Sequence, residues 1–216
     1  MPEEITWRFV LAIVIAYCLG SISPSTLIGR AHGIDIKKEG SGNAGTTNAL
    51  RVLGWKAALV TVIIDIGKGV LAVLIAGQIG DRNAMMAAAF AAFIGHIWPV
   101  FLKFKGGKGI AVAFGVIVTL NPKLGFTLLL LIIIIVLATR KVSFGSIIDA
   151  AVFPILCWFW EPDFFWYSLI MAVIVIIKHR SNIQRLIRGE ESNINIKWLN
   201  GDKNPKNKGK IEESRK

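Results

Sequence analysis

Residues 57–79 of the chain read AALVTVIIDIGKGVLAVLIAGQI, an apolar stretch whose only charged residues are Asp65 and Lys68. A transmembrane helix needs about 20 consecutive apolar residues, so this stretch is long enough to cross a bilayer. The whole chain of 216 residues is 54% hydrophobic and has a mean hydropathy of +0.58. Soluble domains contain about 45–50% apolar residues. The sequence therefore predicts an all-α integral membrane protein.

Further apolar stretches lie on both sides of this one. The predicted transmembrane segments number about seven and cover approximately residues 7–28, 57–79, 84–101, 110–120, 124–139, 146–160 and 164–177. The segment at 110–120 is short, and Asn121-Pro122 ends it because proline disfavours helix in the residue before it. Residues 1–197 form one membrane domain in this interpretation. The polar, basic residues 198–216 are predicted to be a disordered tail.

The positive charges indicate how the segments are oriented. If all seven cross the membrane, one side receives every one of the 25 Lys and Arg residues except Arg8, Arg82, Lys123 and the intramembrane Lys68. Cytoplasmic loops of membrane proteins are enriched in Lys and Arg. We therefore predict that the N-terminus lies outside and that the basic loops and the C-terminus lie in the cytoplasm. This topology accounts for the net charge of +11 without a nucleic-acid partner.

The first predicted cytoplasmic loop contains a polar motif at residues 40–51, GSGNAGTTNALR. Glycine lets backbone N–H groups approach an anion, and Ser, Thr and Asn side chains add hydrogen-bond donors. Arg51 adds a guanidinium that can bind phosphate or carboxylate through two parallel hydrogen bonds. The motif is typical of an anion-binding loop, and a turn-rich linker of the same composition is the alternative interpretation.

The second motif, GHIWPVFLKFKGGKG at residues 95–109, leads directly into the apolar segment at 110–120. A helix that begins at a glycine-rich turn offers free N–H groups and the positive end of its dipole, and the lysines add mobile positive charge. This combination favours phosphate binding, although the spacing is not that of a Walker loop. Lysines that only fix the topology are the alternative, but they leave the three glycines unexplained.

The third motif, KHRSNIQRLIRGE at residues 178–190, follows the last apolar segment on the same predicted side. A helical continuation would place His179 and Asn182 on one stripe, since they are three residues apart. A basic interfacial helix that binds anionic lipid headgroups is the alternative.

Within the second segment, Asp65 and Lys68 are also three residues apart and so share a helix face, either as a structural pair or as part of a site.

Together the three motifs resemble those of the acyl-phosphate-dependent glycerol-3-phosphate acyltransferases, the PlsY family, in order and in spacing. The resemblance covers about residues 10–190. It implies a bacterial inner-membrane enzyme of phospholipid synthesis whose active site faces the cytoplasm. Such an enzyme transfers a fatty acyl group from acyl phosphate to the sn-1 hydroxyl of glycerol 3-phosphate, giving lysophosphatidic acid and phosphate. It implies no cofactor and no metal, and the sequence has no H-E-x-x-H or Cys/His cluster.

The resemblance assigns roles to residues by their positions in the motifs. The predicted catalytic residues are Ser41, His179 and Asn182. The predicted substrate-binding residues are Asn43, Thr47, Asn48, Arg51, His96, Lys105, Gly106, Gly107 and Lys108, with the N–H groups around Gly106 and Gly107 on a phosphate. Asp65 and Lys68 have either a structural role or a role in the site. Glu190 is expected to anchor its segment by pairing with a basic residue.

Several alternatives remain open at this point. Two groups are candidates for the general base, namely His179 and a substrate phosphate. A route through a covalent acyl group on Ser41 is less favoured. A transporter or exchanger of a phosphorylated metabolite is the main functional rival, and a purely structural membrane protein is another. The acyltransferases that use coenzyme A or carrier protein have a His-x-x-x-x-Asp motif. In this chain the residue five places after His96 is Phe101 and the one five places after His179 is Gln184, so neither histidine has the aspartate of that motif.

Overall fold

The computed structural model describes residues 3–194, with side chains described from residue 7 onward, and within this part all regular structure is helical. The predicted tail at 198–216 lies outside the described residues. The α-helices are α1 (Glu3–Gly20), α2 (Pro24–Ala31), α3 (Thr46–Val52), α4 (Trp55–Ile79), α5 (Arg82–Ile97), α6 (Ile110–Leu120), α7 (Pro122–Thr139), α8 (Val142–Trp160), α9 (Phe165–Lys178) and α10 (Arg180–Ile187). Short 3₁₀ turns occur at Val100–Leu102 and Pro162–Phe164.

Each of the seven predicted segments coincides with one or two of these helices, which confirms the all-α membrane class. Five stretches are long and apolar enough to cross a membrane, namely Trp7–Ala31, Trp55–Ile79, Arg82–Leu102, Pro122–Thr139 and Val142–Trp160. Helices α9 and α10 would add a sixth crossing if they are one span, bent by 57°. The count of seven crossings and the orientation of the termini stay predictions.

Helix α6 is short because the loop before it enters the helix bundle. A Cβ on Gly109 would lie 2.3 Å from the Phe93 ring, about one turn before the end of α5. At the other end of α6, the Asn121 side chain donates to Glu161 (3.1 Å), and Glu161 also pairs with Arg82 at the start of α5 (2.5 Å). The 11 residues of α6 rise about 17 Å. The chain therefore passes from one end of the bundle to the other at α6.

Small residues let the central helices pack closely. A Cβ on Gly20 would lie 2.1 Å from the Ala92 carbonyl oxygen, so α1 and α5 touch through their backbones. A Cβ on Gly115 would likewise lie 2.3 Å from the Ile66 carbonyl oxygen, which joins α6 to α4. Close contact through small residues is the usual way in which helices associate in membranes, where lipid removes the hydrophobic drive for association. Helices α4, α5 and α6 thus form the frame on which the polar loops rest.

Candidate active site

A cavity of about 350 Å³ lies among the helices at the end of the bundle where the three motifs meet, here called the motif end. Its volume is in the range of small-molecule sites, about 300–1,000 Å³. Its polar wall includes Ser41, Asn43, Thr46, Thr47, Arg51, His96, Lys108, His179, Asn182 and Glu191. Its apolar wall comes mainly from helices α6 to α9, with contributions from α3, α4 and α5, and includes Ile117, Leu128, Leu129, Ile132, Phe153 and Ala172. A single cavity therefore has a basic end and an apolar part that extends between the helices.

Asn48 builds the first-motif loop. Its Nδ2 group donates to the carbonyl oxygens of Ile36 (3.0 Å) and Glu39 (3.1 Å), and its Oδ1 atom accepts from the Ser41 N–H group (2.8 Å). Gly40 has a φ of +60°, and a Cβ there would lie 2.3 Å from the same Oδ1 atom. Both amide protons of Asn48 are used within the loop, so Asn48 braces the loop in this structure, and its role as a donor to substrate stays a prediction.

The glycines of the second motif let its loop rest on the end of α5. A Cβ on Gly107 would lie 2.2 Å from the His96 Nε2 atom, and one on Gly106 would lie 2.0 Å from the His96 carbonyl oxygen. The Gly106 N–H group donates to Ile97 (3.1 Å) and that of Gly107 to His96 (3.1 Å). These two N–H groups are already used within the protein in this structure, and their role in phosphate binding stays a prediction. Lys105 is exposed and is not part of the cavity wall, so the cavity adds no support to its predicted role in phosphate binding, which stays a prediction.

Lys108 and the start of α6 are the parts of the second motif that reach the cavity. The Ala113 N–H group makes the first hydrogen bond of this helix, to Gly109 (2.7 Å), so the N–H groups before it have no partner within the helix. Gly109, Ile110 and Ala111 line the cavity. Burial, with smaller contributions from Arg185 and Arg51, lowers the pKa of Lys108 to about 8. The site thus places a readily titrated ammonium beside the positive end of a helix dipole.

The bend between α9 and α10 presents His179 to the cavity. Its Nδ1 atom lies 2.8 Å from the Val175 carbonyl oxygen, which can only accept a hydrogen bond. Nδ1 therefore carries the proton, and Nε2 of the neutral ring is an acceptor. The side chain is 3% exposed and is part of the cavity wall. This tautomer is the one that a general base would need.

Asn182 and Glu191 connect the second and third motifs. Lys108 Nζ donates to Asn182 Oδ1, and Asn182 Nδ2 donates to Glu191 (2.7 Å). Glu191 also accepts hydrogen bonds from Ser143 on α8 (2.6 Å) and from Arg185 (2.7 Å). Burial raises the pKa of Glu191, but these hydrogen bonds outweigh burial and hold it below the ordinary value. The network fixes the position of Lys108 relative to α8 and α10.

Glu191, and not Glu190, therefore anchors the third motif. Glu190 is exposed, and its N–H group closes the end of α10 by donating to Arg185 (2.8 Å). The preceding Gly189 has a φ of +71°, as expected of the residue that reverses the chain after a helix. The reversal directs the side chain of the second residue after the glycine towards Asn182. The predicted pairing of Glu190 with a basic residue is thus corrected by one position.

Asp65, Lys68 and His96 form a buried cluster beneath the second-motif loop. Lys68 Nζ lies 2.8 Å from Asp65 Oδ1 and 3.0 Å from His96 Nδ1, and it also donates to the Ile22 carbonyl oxygen (2.6 Å). The His96 Nδ1 atom also lies 3.4 Å from Asp65 Oδ1, so the imidazole contacts both members of the ion pair. Asp65 and His96 also line the cavity. The cluster neutralises its own charge and joins α4 to α5 and to the break between α1 and α2.

Several residues of this wall lie outside the functional positions predicted from the sequence. Thr46 Oγ1 is buried without a hydrogen-bond partner among the described residues, and the same holds for Asp149 Oδ1 on α8. Ser143 had no motif around it, and its role is visible only through its contact with Glu191. The glycine after α10 was the one available signal for Glu191. Within residues 3–194, no group of three His, Cys, Asp or Glu side chains is arranged to hold a metal ion.

Known proteins resemble this chain over most of its length. The family model described as glycerol-3-phosphate acyltransferase matches residues 10–189. The glycerol-3-phosphate acyltransferase of Thermoanaerobacter pseudethanolicus is 45% identical over 191 residues, covering 87% of this chain and 96% of the relative. That of Trichlorobacter lovleyi is 46% identical over 180 residues, covering 82% of this chain and 93% of the relative.

The fold is also similar to solved structures of PlsY (YgiH), an integral membrane glycerol 3-phosphate acyltransferase. Its glycerol 3-phosphate form is 31% identical in sequence, with a TM-score of 0.83 over 88% of this chain and 98% of that chain. Its lysophosphatidic acid form has a TM-score of 0.79 over 87% and 95% of the two chains. These matches confirm the resemblance inferred from the three motifs. The chain therefore belongs to the glycerol-3-phosphate acyltransferase family of integral membrane enzymes.

Proposed function

We propose that this enzyme transfers a fatty acyl group from acyl phosphate to the sn-1 hydroxyl of glycerol 3-phosphate, releasing lysophosphatidic acid and inorganic phosphate. The observation that carries the proposal is the two-part cavity of the motif end. Its basic end suits a phosphorylated acceptor that arrives from water, and its apolar wall suits an acyl chain. The related PlsY structures, named for a glycerol 3-phosphate form and a lysophosphatidic acid form, fit both parts.

Arg51 and Lys108 bind phosphate in this proposal, together with the first N–H groups of α6. Arg51 is one of the groups that lower the pKa of Lys108, so the two cations are close enough to repel each other. A phosphate bound between them would relieve the repulsion and favour the protonated form of Lys108. The Asn182 side chain holds the Lys108 ammonium in place for this task.

The acyl transfer needs alignment more than activation, because acyl phosphate already has a good leaving group. The sn-1 oxygen forms a bond to the carbonyl carbon, the bond from that carbon to the phosphate oxygen breaks, and the hydroxyl proton passes to a base. Ser41, Asn43, Thr46 and Thr47 are the donors placed to stabilise the negative charge that develops on the carbonyl oxygen. Holding the two reactants in register supplies much of the rate enhancement.

His179 is the first candidate for the base, since its Nε2 atom accepts a proton in the tautomer fixed by Val175. A substrate phosphate is the second candidate, because it accompanies the hydroxyl into the site. An acyl-serine intermediate on Ser41 ranks below both, as no hydrogen bond links Ser41 to a histidine within the described residues. Retention of a radiolabelled acyl chain on the protein in the absence of glycerol 3-phosphate would reverse that order.

The proposal places the enzyme in the bacterial inner membrane with the motif end in the cytoplasm, the N-terminus outside and seven crossings. Labelling of single cysteines introduced at Asn43, Lys105 and Ser181, one accessible position in each motif, tests this topology in sealed vesicles of known orientation. All three positions should react only with a reagent applied from the cytoplasmic side. Labelling of any one of them from the opposite side would exclude a common site.

Phosphate release by purified protein in detergent tests the activity. We expect phosphate release with palmitoyl phosphate plus glycerol 3-phosphate and none when either is omitted. With palmitoyl coenzyme A the leaving group is coenzyme A, so the free thiol is measured instead, and we expect none. A transporter would show no turnover without a sealed vesicle. The pairing of Asp65 with Lys68 at 2.8 Å also removes the free intramembrane charge that had favoured a transporter. A lack of phosphate release with both substrates present would refute the proposal.

A further inference from the structure

Polar residues continue from the motif end along one face of α8 into the apolar wall of the cavity. Ser143, Ser146 and Asp149 are spaced three residues apart and all line the cavity, and Phe153 follows on the same face. The first of them is tied to Glu191 (2.6 Å), and the second donates to its own helix at Val142 (2.9 Å). The third lies about 9 Å further along the helix than Ser143.

Asp149 has no partner in the part of the chain that the structure describes. Its Oδ1 atom is buried without a hydrogen bond, and none of the ion pairs in residues 3–194 includes its carboxyl group. Burying a polar group without a hydrogen bond is costly, and ionisable residues inside a membrane normally face a functional cavity. The wall therefore contains an unused hydrogen-bonding group at a depth where the acyl chain, and not its carbonyl carbon, would lie.

The geometry points to Asp149 as a specificity-determining residue that binds a hydroxyl group carried near the middle of the acyl chain. This inference rests on the proposed acyl transfer. A carboxyl group accepts a hydrogen bond from a hydroxyl and, when protonated, can donate one as well, so it can pair with a chain hydroxyl in either state. A saturated chain leaves the carboxyl unpaired and makes none of these bonds.

The position of Asp149 argues against two other ligands. Glycerol 3-phosphate belongs at the basic end, where Arg51, Lys108 and Asn182 line the wall, about six residues of helix away from Asp149. A hydroxyl two carbons from the carbonyl group would lie near Ser143, whose own hydroxyl is already bonded to Glu191. A substituent halfway along the chain is the one that reaches Asp149.

The test compares acyl donors in the phosphate-release assay. Stearoyl phosphate, a stearoyl phosphate hydroxylated near the middle of the chain, and a β-hydroxystearoyl phosphate are each assayed with the wild type, Asp149→Asn and Asp149→Leu. The quantity measured is kcat/KM for each hydroxylated donor divided by that for the plain donor. Because it is a ratio within one variant, it is unaffected by the amount of folded protein. Asp149→Ala replaces the leucine variant if the latter does not express.

We expect the mid-chain ratio of the wild type to exceed that of Asp149→Leu by about tenfold, the effect of one hydrogen bond of ordinary strength. Asp149→Asn, which still offers a donor and an acceptor, should keep most of this preference. The β-hydroxy ratio should be the same in all three proteins. Equal mid-chain ratios in the wild type and Asp149→Leu would overturn the inference, as would a loss confined to the β-hydroxy donor. Turnover of plain stearoyl phosphate by the wild type tests the proposed function separately.

Discussion

Replacement of Glu191 by alanine is expected to weaken both the fold and the catalysis. Glu191 is 7% exposed and accepts hydrogen bonds from Ser143, Asn182 and Arg185 at 2.6–2.7 Å. Removal of one partner of a buried ion pair costs about 3–5 kcal/mol. The Arg185 side chain is 34% exposed, so water compensates part of the loss. We therefore expect E191A to lower the free energy of unfolding by about 3 kcal/mol, at the low end of that range.

The same change should lower kcat/KM, because Asn182 loses the acceptor that orients it and Lys108 loses its alignment with the phosphate. E191Q should give an intermediate result, since its amide oxygen can still accept from Ser143 and Asn182 while its NH₂ group faces the Arg185 donor. Unfolding of the purified protein in detergent gives the stability, and phosphate release gives the activity.

Glu190→Ala is the matched control, because Glu190 is the adjacent glutamate and its side chain is exposed. A surface substitution of this kind changes stability by no more than about 0.5 kcal/mol. If E190A were as harmful as E191A, the assignment of the anchor to Glu191 would be refuted. Wild-type stability and activity of E191A would refute the network itself.

Three further outcomes follow from the site. The kcat/KM for glycerol 3-phosphate should fall as the pH rises through about 8, because the free enzyme loses the Lys108 proton there. The kcat should persist to higher pH, because bound phosphate favours the protonated form of Lys108. The fall in kcat/KM should be absent in K108R. H179A should lower kcat by about 10²–10⁴-fold if the imidazole is the base, and near-normal turnover measured on well-folded protein would assign the proton to the substrate phosphate. G107A should lose about 1–3 kcal/mol of stability, because its methyl group would lie 2.2 Å from His96 Nε2, whereas G67A meets nothing within 4 Å and should unfold like the wild type.

The membrane architecture was predictable because helix length and apolar composition are local properties of the sequence. Each predicted segment needed only its own residues to be recognised, as at Trp55–Ile79. The end of the short α6 was predicted from Asn121-Pro122, but its start was not explained, because that start depends on the contact of Gly109 with Phe93. That contact joins two elements that the sequence alone does not place together.

The candidate site was predictable in its chemistry but not in its division of labour. The motifs indicated an anion site, and Arg51, Lys108, His179 and Asn182 do line one cavity. Lys105 shares the motif and the charge of Lys108, yet it is exposed, because the loop turns between them. Which lysine faces the cavity is set by backbone contacts with α5, and these are not encoded in residue type.

The polar loops must first satisfy their own backbone, because unpaired N–H and C=O groups are costly beside a membrane. Asn48 serves this purpose, whereas the side chain of the adjacent Thr47 lines the cavity and makes no hydrogen bond in the described part of the chain. N48A should therefore lose about 1–3 kcal/mol of stability and activity with it. T47A should keep its stability within about 0.5 kcal/mol and instead change KM or kcat in the phosphate-release assay. If N48A kept full stability and only raised KM, Asn48 would bind substrate after all, and the separation between residues that build the loops and residues that face the substrate would fail.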